Sequence, residues 1–351
     1  MAFLTGVLFI DAPASALNNA GADTGSRTDN AIAVKSVRTK EGVFPYVSAQ
    51  AVRYWLRSGL AAVPGYKAAP IRREGKVSYT DGDPIEWWDD DLFGYMRAPS
   101  KKANKGDAED DRLSPVTAEI TRVSPFRMST LIAVAPSAPT HDFGTMSRHG
   151  GDPVPHEHQF YRNILKGMFS LDLSRVGTFT YQKRSGFLNL DEVRIEKAKS
   201  HGLENLAAQQ AYRLPLEERL NRVEGLLSAL GRLSGGAKQA IHYTDVTPAV
   251  LLAAVVEGGN DPLAYLIRSD ERALLAVHRE AVRELRRAWG DILLSPIYAG
   301  WAAGFQDKAR ADLAAALEEE KQNDLRSQLG HPRVVLTQLA TALRQNPSWM
   351  A

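Results

Sequence analysis

The sequence predicts an α+β fold, and three observations carry that reading. Strand-length apolar runs are interleaved with a few helical patterns, without the regular crossover spacing of a doubly wound sheet. Long polar insertions interrupt the first half of the chain. Neither G-x-G-x-x-G nor G-x-x-x-x-G-K-[ST] occurs, which disfavours a nucleotide-cofactor enzyme. At 351 residues the chain holds two average domains or one domain with large insertions.

The elements follow in order. Ala2 to Ile10 is apolar, lacks a preceding basic region and is cut by Asp11, so it reads as a buried strand rather than a leader peptide. A polar, glycine-bearing loop from Asn18 to Asn30 precedes the strand-like Ala31–Val34. Ser48 then caps a helix to about Leu60, with Gly59 near its end and Pro64 beyond it. Asp81, Asp83, Glu86, Asp89, Asp90 and Asp91 form an acidic run that reads as the solvated face of an insertion. It misses the EF-hand order of ligands. Leu92–Met96 is an apolar plug suited to docking that insertion, and the charged stretch from Lys101 to Asp111 reads as a mobile loop. Strand character returns at Ala118–Val134 and His158–Tyr181, separated by a Gly/Pro/His-rich loop.

Past residue 210 the pattern turns mostly helical. Glu217–Leu233 repeats apolar residues at Leu220, Val223, Leu226, Leu227 and Leu230 and ends at Ser234-Gly235-Gly236. Val246–Val256 has strand length. Ser269–Trp289 reads as one amphipathic helix, and two more run near Asp307–Lys321 and Pro332–Arg344. No internal repeat is present.

Lys plus Arg number 43 against 41 Asp plus Glu, a net charge of +2. This excludes a polycation but not a local basic groove. The absence of cysteine removes disulfides, thiolate metal sites and a cysteine nucleophile together. No run approaches the ~18–20 apolar residues needed to span a bilayer, so a cytoplasmic protein without a membrane partner is expected.

Four of the chain's eight histidines, His141, His149, His156 and His158, fall in one glycine- and proline-rich stretch. A metal reading would join His156 and His158 with Asp142 or Asp152, yet the spacing fits no standard zinc motif. A loop touching a ligand or partner is favoured, with no metal and no cofactor expected. Arg27 to Arg57 is richer: six cations against two acids give a local charge of +4. On the Ser48 helix, Gln50, Arg53 and Arg57 fall within a ~60° sector at about 100° per residue. Free N–H groups and a hydroxyl at the helix start suit a phosphate, and so do the cations. An ordinary solvated face explains the periodicity as well. Gly235-Gly236-Ala237-Lys238-Gln239 reads either as a second backbone cradle or as a plain helix C-cap.

Together these segments resemble the DevR family of CRISPR-associated proteins. The residues carrying the resemblance are Val7–Ala12, Ala16–Asn19, Thr28–Lys35, Pro45–Arg57, Asp91–Met96, Arg122–Pro125, Val176-Gly177, Gly235–Ala240 and Asp245–Pro248. They span roughly three quarters of the chain. The family supplies the backbone subunit of type I-B Cascade, the RNA-guided surveillance complex. The resemblance implies an RRM-like (ferredoxin-like) palm formed by residues 1–61 and 157–256. Residues 62–156 would supply inserted finger and thumb regions, and 257–351 a mostly helical C-terminal part.

It further implies a non-enzymatic, RNA-binding subunit that stacks on copies of itself. Its partners would be the CRISPR guide RNA, target DNA within the R-loop and other Cascade subunits. Asn19, Arg27, Lys35, Ser48, Gln50, Arg53 and Arg57 would line the RNA groove, and Gly235, Gly236, Lys238 and Gln239 would form a second backbone contact. Met146 and Arg148 mark the candidate nucleotide-displacing thumb. The resemblance favours the phosphate reading of the Ser48 helix, because a guide filament needs sequence-independent backbone contacts. The rival is an RNA-cleaving subunit as in type III complexes, using the loop aspartate Asp23 or Asp29.

Overall fold

A computed structural model describes residues 1–22, 31–74, 76–99, 115–148 and 150–351. Strand β1 (Ala2–Ser15) leads through β2 (Asn19–Ala22), β3 (Ala31–Val34), β4 (Ser36–Thr39) and β5 (Gly42–Val47) into helix α1 (Ala49–Leu60). The insertion holds β6 (Ile71–Glu74), β7 (Val77–Thr80), α2 (Trp88–Phe93), β8 (Tyr95–Arg97) and β9 (Ile120–Arg122). Next come β10 (Phe126–Met128), β11 (Leu131–Ala133), β12 (Thr140–Met146) and the long β13 (Val154–Asp172). They are followed by β14 (Thr178–Thr180), α3 (Glu192–Ser200), β15 (Glu204–Leu206), β16 (Ala211–Arg213), α4 (Leu216–Gly231) and β17 (Val250–Glu257). The C-terminal part contributes β18 (Ile267–Ser269), β19 (Leu275–Val277), α5 (Arg279–Trp289), β20 (Ile297–Trp301), α6 (Asp307–Lys321), β21 (Ser327–Gly330) and α7 (Pro332–Gln345).

The main sheet runs β21-β20-β17-β1-β13-β11-β5-β4. Its central strands β17, β1, β13 and β11 pair antiparallel. With α1 and α4 they follow one another as β-α-β-β-α-β along the chain. The α+β class expected from the sequence is therefore the one observed.

Period-two alternation in β1 feeds two cores. Leu4, Leu8, Ile10 and Ala12 join a cluster with Val52, Trp55 and Leu56 of α1, Leu220 to Leu230 of α4 and Leu336 to Leu343 of α7. Phe3, Val7 and Phe9 point the other way, into a cluster with Val282 and Leu285 of α5 and Leu313 and Leu317 of α6. The sheet is thus covered on both faces. β20 and β21 extend it, so residues 257–351 add strands as well as helices.

Three sequence expectations are corrected. The acidic run is not a solvated face: Asp81, Asp83, Asp89, Asp90 and Asp91 are all buried. Asp91 is held by Arg122 and by Arg222 at 2.6 Å, and it accepts from the Gly177 N–H at 2.9 Å. Lys197 meets Asp83 at 2.5 Å and Arg97 meets Asp81 at 3.1 Å. Buried carboxylates demand such partners, and these lie up to about 130 residues away, where local charge pattern gives no hint of them. The apolar plug does dock, with Leu92 and Phe93 in the first core.

The Gly/Pro/His-rich loop is instead mostly a hairpin, β12 against β13, in which His141 pairs with Gln159 and Asp142 with His158. Finally, the Ser269–Trp289 helix begins only at Arg279, because Leu275–Val277 pairs as β19 with β18. The charged stretch from Lys101 to Asp111 lies outside the described residues.

Candidate nucleic-acid interface

Helix α1 starts at the position the sequence indicates, but Ser48 caps it only in part. The residue is extended (φ −63°, ψ 148°) and its hydroxyl makes no capping hydrogen bond. No acidic side chain stands in the first turn either. The first N–H donors and the Ser48 hydroxyl therefore remain available to an incoming oxyanion. Gln50 is exposed beside them, and Val52, Trp55, Leu56 and Leu60 face the core.

Distant segments meet at this helix start. The Lys35 N–H donates to Asn18 O, and the Tyr46 N–H donates to Lys35 O, both at 3.0 Å. This places Lys35 two residues from Ser48 across the β4–β5 edge. The Gly235-Gly236 turn lies directly on α1, since a Cβ at Gly235 would come within 2.3 Å of the Trp55 ring. Gly236 packs as tightly on Leu17, where a Cβ would lie 2.5 Å from Cδ2, and the Ala237 N–H donates to Leu17 O at 3.0 Å. Both glycines have positive φ, 149° and 110°, so the turn needs glycine for conformation as well as for space. The C-cap reading of this turn is too small: it is a tie between α1 and the end of β1.

Lys238 follows in the left-handed region (φ 52°), with burial lowering its pKa. Asn19 is exposed at the start of β2. The structure thus gathers Asn19, Lys35, Ser48, Gln50, Gly235, Gly236 and Lys238 along one edge.

Other expected residues have work within the protein. Arg53 Nη2 donates to Phe93 O at 2.5 Å, while Nη1 donates to Phe126 O at 3.2 Å and Ser124 Oγ at 3.3 Å. Burial first, then Arg57, lowers its pKa to about 10. Arg53 ties α1 to the insertion. Arg57 lies over the Phe93 ring, 4.5 Å from its centroid, with its pKa lowered by burial. Gln239 braces the turn, donating to Gly235 O at 2.5 Å and accepting from the Thr244 N–H at 2.9 Å. Met146 and Arg148 are exposed at the far end of the β12–β13 hairpin, together with Phe143 and Val154. Arg27, Asp23 and Asp29 lie outside the described residues.

Two candidates escaped the sequence reading. Among the described residues, Asn18 Nδ2 is buried at this edge without a hydrogen-bond partner. Tyr54, exposed four residues after Gln50, presents an aromatic ring on the Gln50 side of α1. An aromatic at that spacing on a polar helix face was the available signal.

No protein-family model matches the chain, and no curated protein matches it in sequence. A solved structure described as "CRISPR RNA-guided surveillance complex, pre-nicking" contains a chain that matches this one in shape. The match covers 97% of this chain and 99% of that one, at a TM-score of 0.52 and 12% identity. A chain of a second CRISPR RNA-guided surveillance complex matches over the same shares at a TM-score of 0.49 and 14% identity, a likeness too weak to build on. The first match shows a shared fold over nearly the full length of both chains. Among the described residues, no helix is long and apolar enough to cross a membrane.

Proposed function

We propose that this chain is a non-catalytic backbone subunit of a type I-B CRISPR RNA-guided surveillance complex, Cascade. It holds the guide RNA by its backbone, stacks on copies of itself along that RNA, and presents the guide for pairing with target DNA beside the other subunits. The observation that carries the reading is the convergence of Asn19, Lys35, the open start of α1 and the Gly235–Lys238 turn on one edge. These groups offer N–H donors, an amide and cations, but no base-reading constellation, as suits sequence-independent phosphate contact.

The β-α-β-β-α-β order matches the RRM-like palm implied by the DevR resemblance. An isolated RRM stacks bases on its open sheet face. Here α5 and α6 fill the face opposite α1, so RNA is left the helix-and-loop edge. The exposed tip of the β12–β13 hairpin, with Met146 and Arg148, would displace a nucleotide at regular intervals.

The full chain, co-expressed with a CRISPR array and its partner subunits, tests this. Wild type should carry RNA of uniform size, and a Lys35→Glu, Gln50→Ala, Lys238→Glu variant should lose it without a change in melting temperature. Retention of the same RNA by the variant overturns the site. Cleavage of complementary RNA in Mg²⁺, lost on Asp23→Ala or Asp29→Ala, overturns the non-catalytic role.

A further inference from the structure

The β12–β13 hairpin carries side chains that the RNA reading leaves without a role. Asp142 and His158 are directly opposite in the antiparallel register, which sends both to the same face. His158 Nε2 lies 3.1 Å from Asp142 Oδ2. On that face the stem is met by the turn that begins at Gly235, which brings in His242. The His242 ring packs against His158 at 4.8 Å between centroids and stacks on Phe160 at 5.1 Å. One ligand atom from each of Asp142, His158 and His242 lies within 4.8 Å of the others.

We propose that Asp142, His158 and His242 bind a divalent transition metal of the zinc class. Two features of the geometry support the assignment. Ligands of a tetrahedral zinc bonded at ~2.0–2.1 Å stand about 3.4 Å apart, so the 3.1 Å pair already fits and the third needs only a side-chain adjustment. His242 Nε2 is buried with no hydrogen-bond partner among the described residues, although burial normally satisfies a ring nitrogen.

Two nitrogen donors and one carboxylate select zinc-like ions over Mg²⁺ or Ca²⁺, which prefer all-oxygen sets. Asp142 is half exposed, so water completes the coordination. The pairing differs from the sequence reading, which joined His156 to His158. His156 stacks on His158 but turns over Gly144, where a Cβ would sit 2.5 Å from its Nε2. His242, far away in sequence, takes its place. The metal would pin the hairpin stem to the turn that contacts α1, fixing the hairpin relative to the palm.

The test uses the full chain, free of nucleic acid and stripped of metal by a chelator. Zn²⁺ should bind at one per chain by calorimetry and raise the melting temperature, and a chelator should reverse the rise. Co²⁺ should develop the visible absorption of a tetrahedral nitrogen–oxygen site, and Mg²⁺ should do neither. Asp142→Asn, at an exposed position that spares the core, and His242→Ala should each weaken Zn²⁺ binding by more than about tenfold. His156→Ala should leave it unchanged. Absence of stoichiometric Zn²⁺ binding overturns the site. Binding that survives both ligand variants, or that is lost with His156→Ala, overturns the ligand assignment.

Discussion

Arg53 shows how a residue can satisfy a functional pattern and still serve the fold. Its place on the polar sector of α1, with Gln50 and Arg57, fits a phosphate ligand or a solvated face equally by periodicity, and the family resemblance favours the phosphate. In three dimensions its guanidinium closes three contacts, to Phe93 O in the insertion and to Ser124 Oγ and Phe126 O where the chain returns to the sheet at β10. Periodicity gives the direction of a side chain but not what other segments bring to meet it. Arg53→Ala leaves two main-chain carbonyls without their charged donor and should destabilise the protein by about 2 kcal/mol. Gln50→Ala, at an exposed first-turn position, should change stability by less than about 0.5 kcal/mol. Urea melts of the two variants decide between the roles. If Arg53→Ala melts like wild type yet loses RNA, Arg53 belongs to the groove after all.

At the scale of elements, the insertion is held by burying charge. α2 carries Asp89, Asp90 and Asp91 in its first turn, where the helix dipole favours anions. Burial works against them. The Asp90 carboxyl is pushed up from 3.8 to about 7, by burial first and then by neighbouring Asp89 and Asp81, against hydrogen bonds from Thr80 and the Asp83 N–H. The sign follows from linkage. A carboxyl whose folded pKa lies above its unfolded value stabilises fully below 3.8 and loses that contribution as pH rises through about 7. Asp90→Asn mimics the protonated acid, with its amide oxygen able to accept from the Asp83 N–H and its NH₂ able to donate to Thr80 Oγ1. The melting temperature of wild type relative to Asp90→Asn should therefore fall between about pH 5 and about pH 8. Parallel curves would show that Asp90 stays ionised in the fold. The sequence could not announce this: a run of acids looks solvated unless its remote partners Arg122, Arg194, Lys197 and Arg222 are already in place. The hairpin histidines were obscured likewise, since His242 joins them only through the Gly235 turn.

For the whole molecule, legibility followed the range of the interactions. Strands β1 and β17 and helices α1, α4, α6 and α7 could be placed from local apolar period, because each buries one stripe or one strand-length run whatever its neighbours are. The convergence of the α1 start and the Gly235-Gly236 turn could be anticipated from backbone features, whereas the internal contacts of Arg53 and Arg57 could not, because long side chains choose among distant acceptors. The +2 net charge takes a different meaning from this. The acids of residues 81–91 neutralise interior arginines rather than balancing a groove, so on the proposed reading few cations are left for RNA. Arg53 is engaged and Arg57 is packed on Phe93, leaving Lys35 and Lys238 as the cations at the described edge. On a single strand each neutralised phosphate contributes about −0.7 to the slope of log affinity against log salt. Lys35→Gln and Lys238→Gln should each make that slope shallower by about 0.7. Lys308→Gln, exposed on α6 across the sheet, should leave it unchanged. Binding of a uniform single-stranded RNA to the full chain across a salt series measures all three. Equal slopes for wild type and both edge variants would mean that RNA, if bound, is held elsewhere than along this edge.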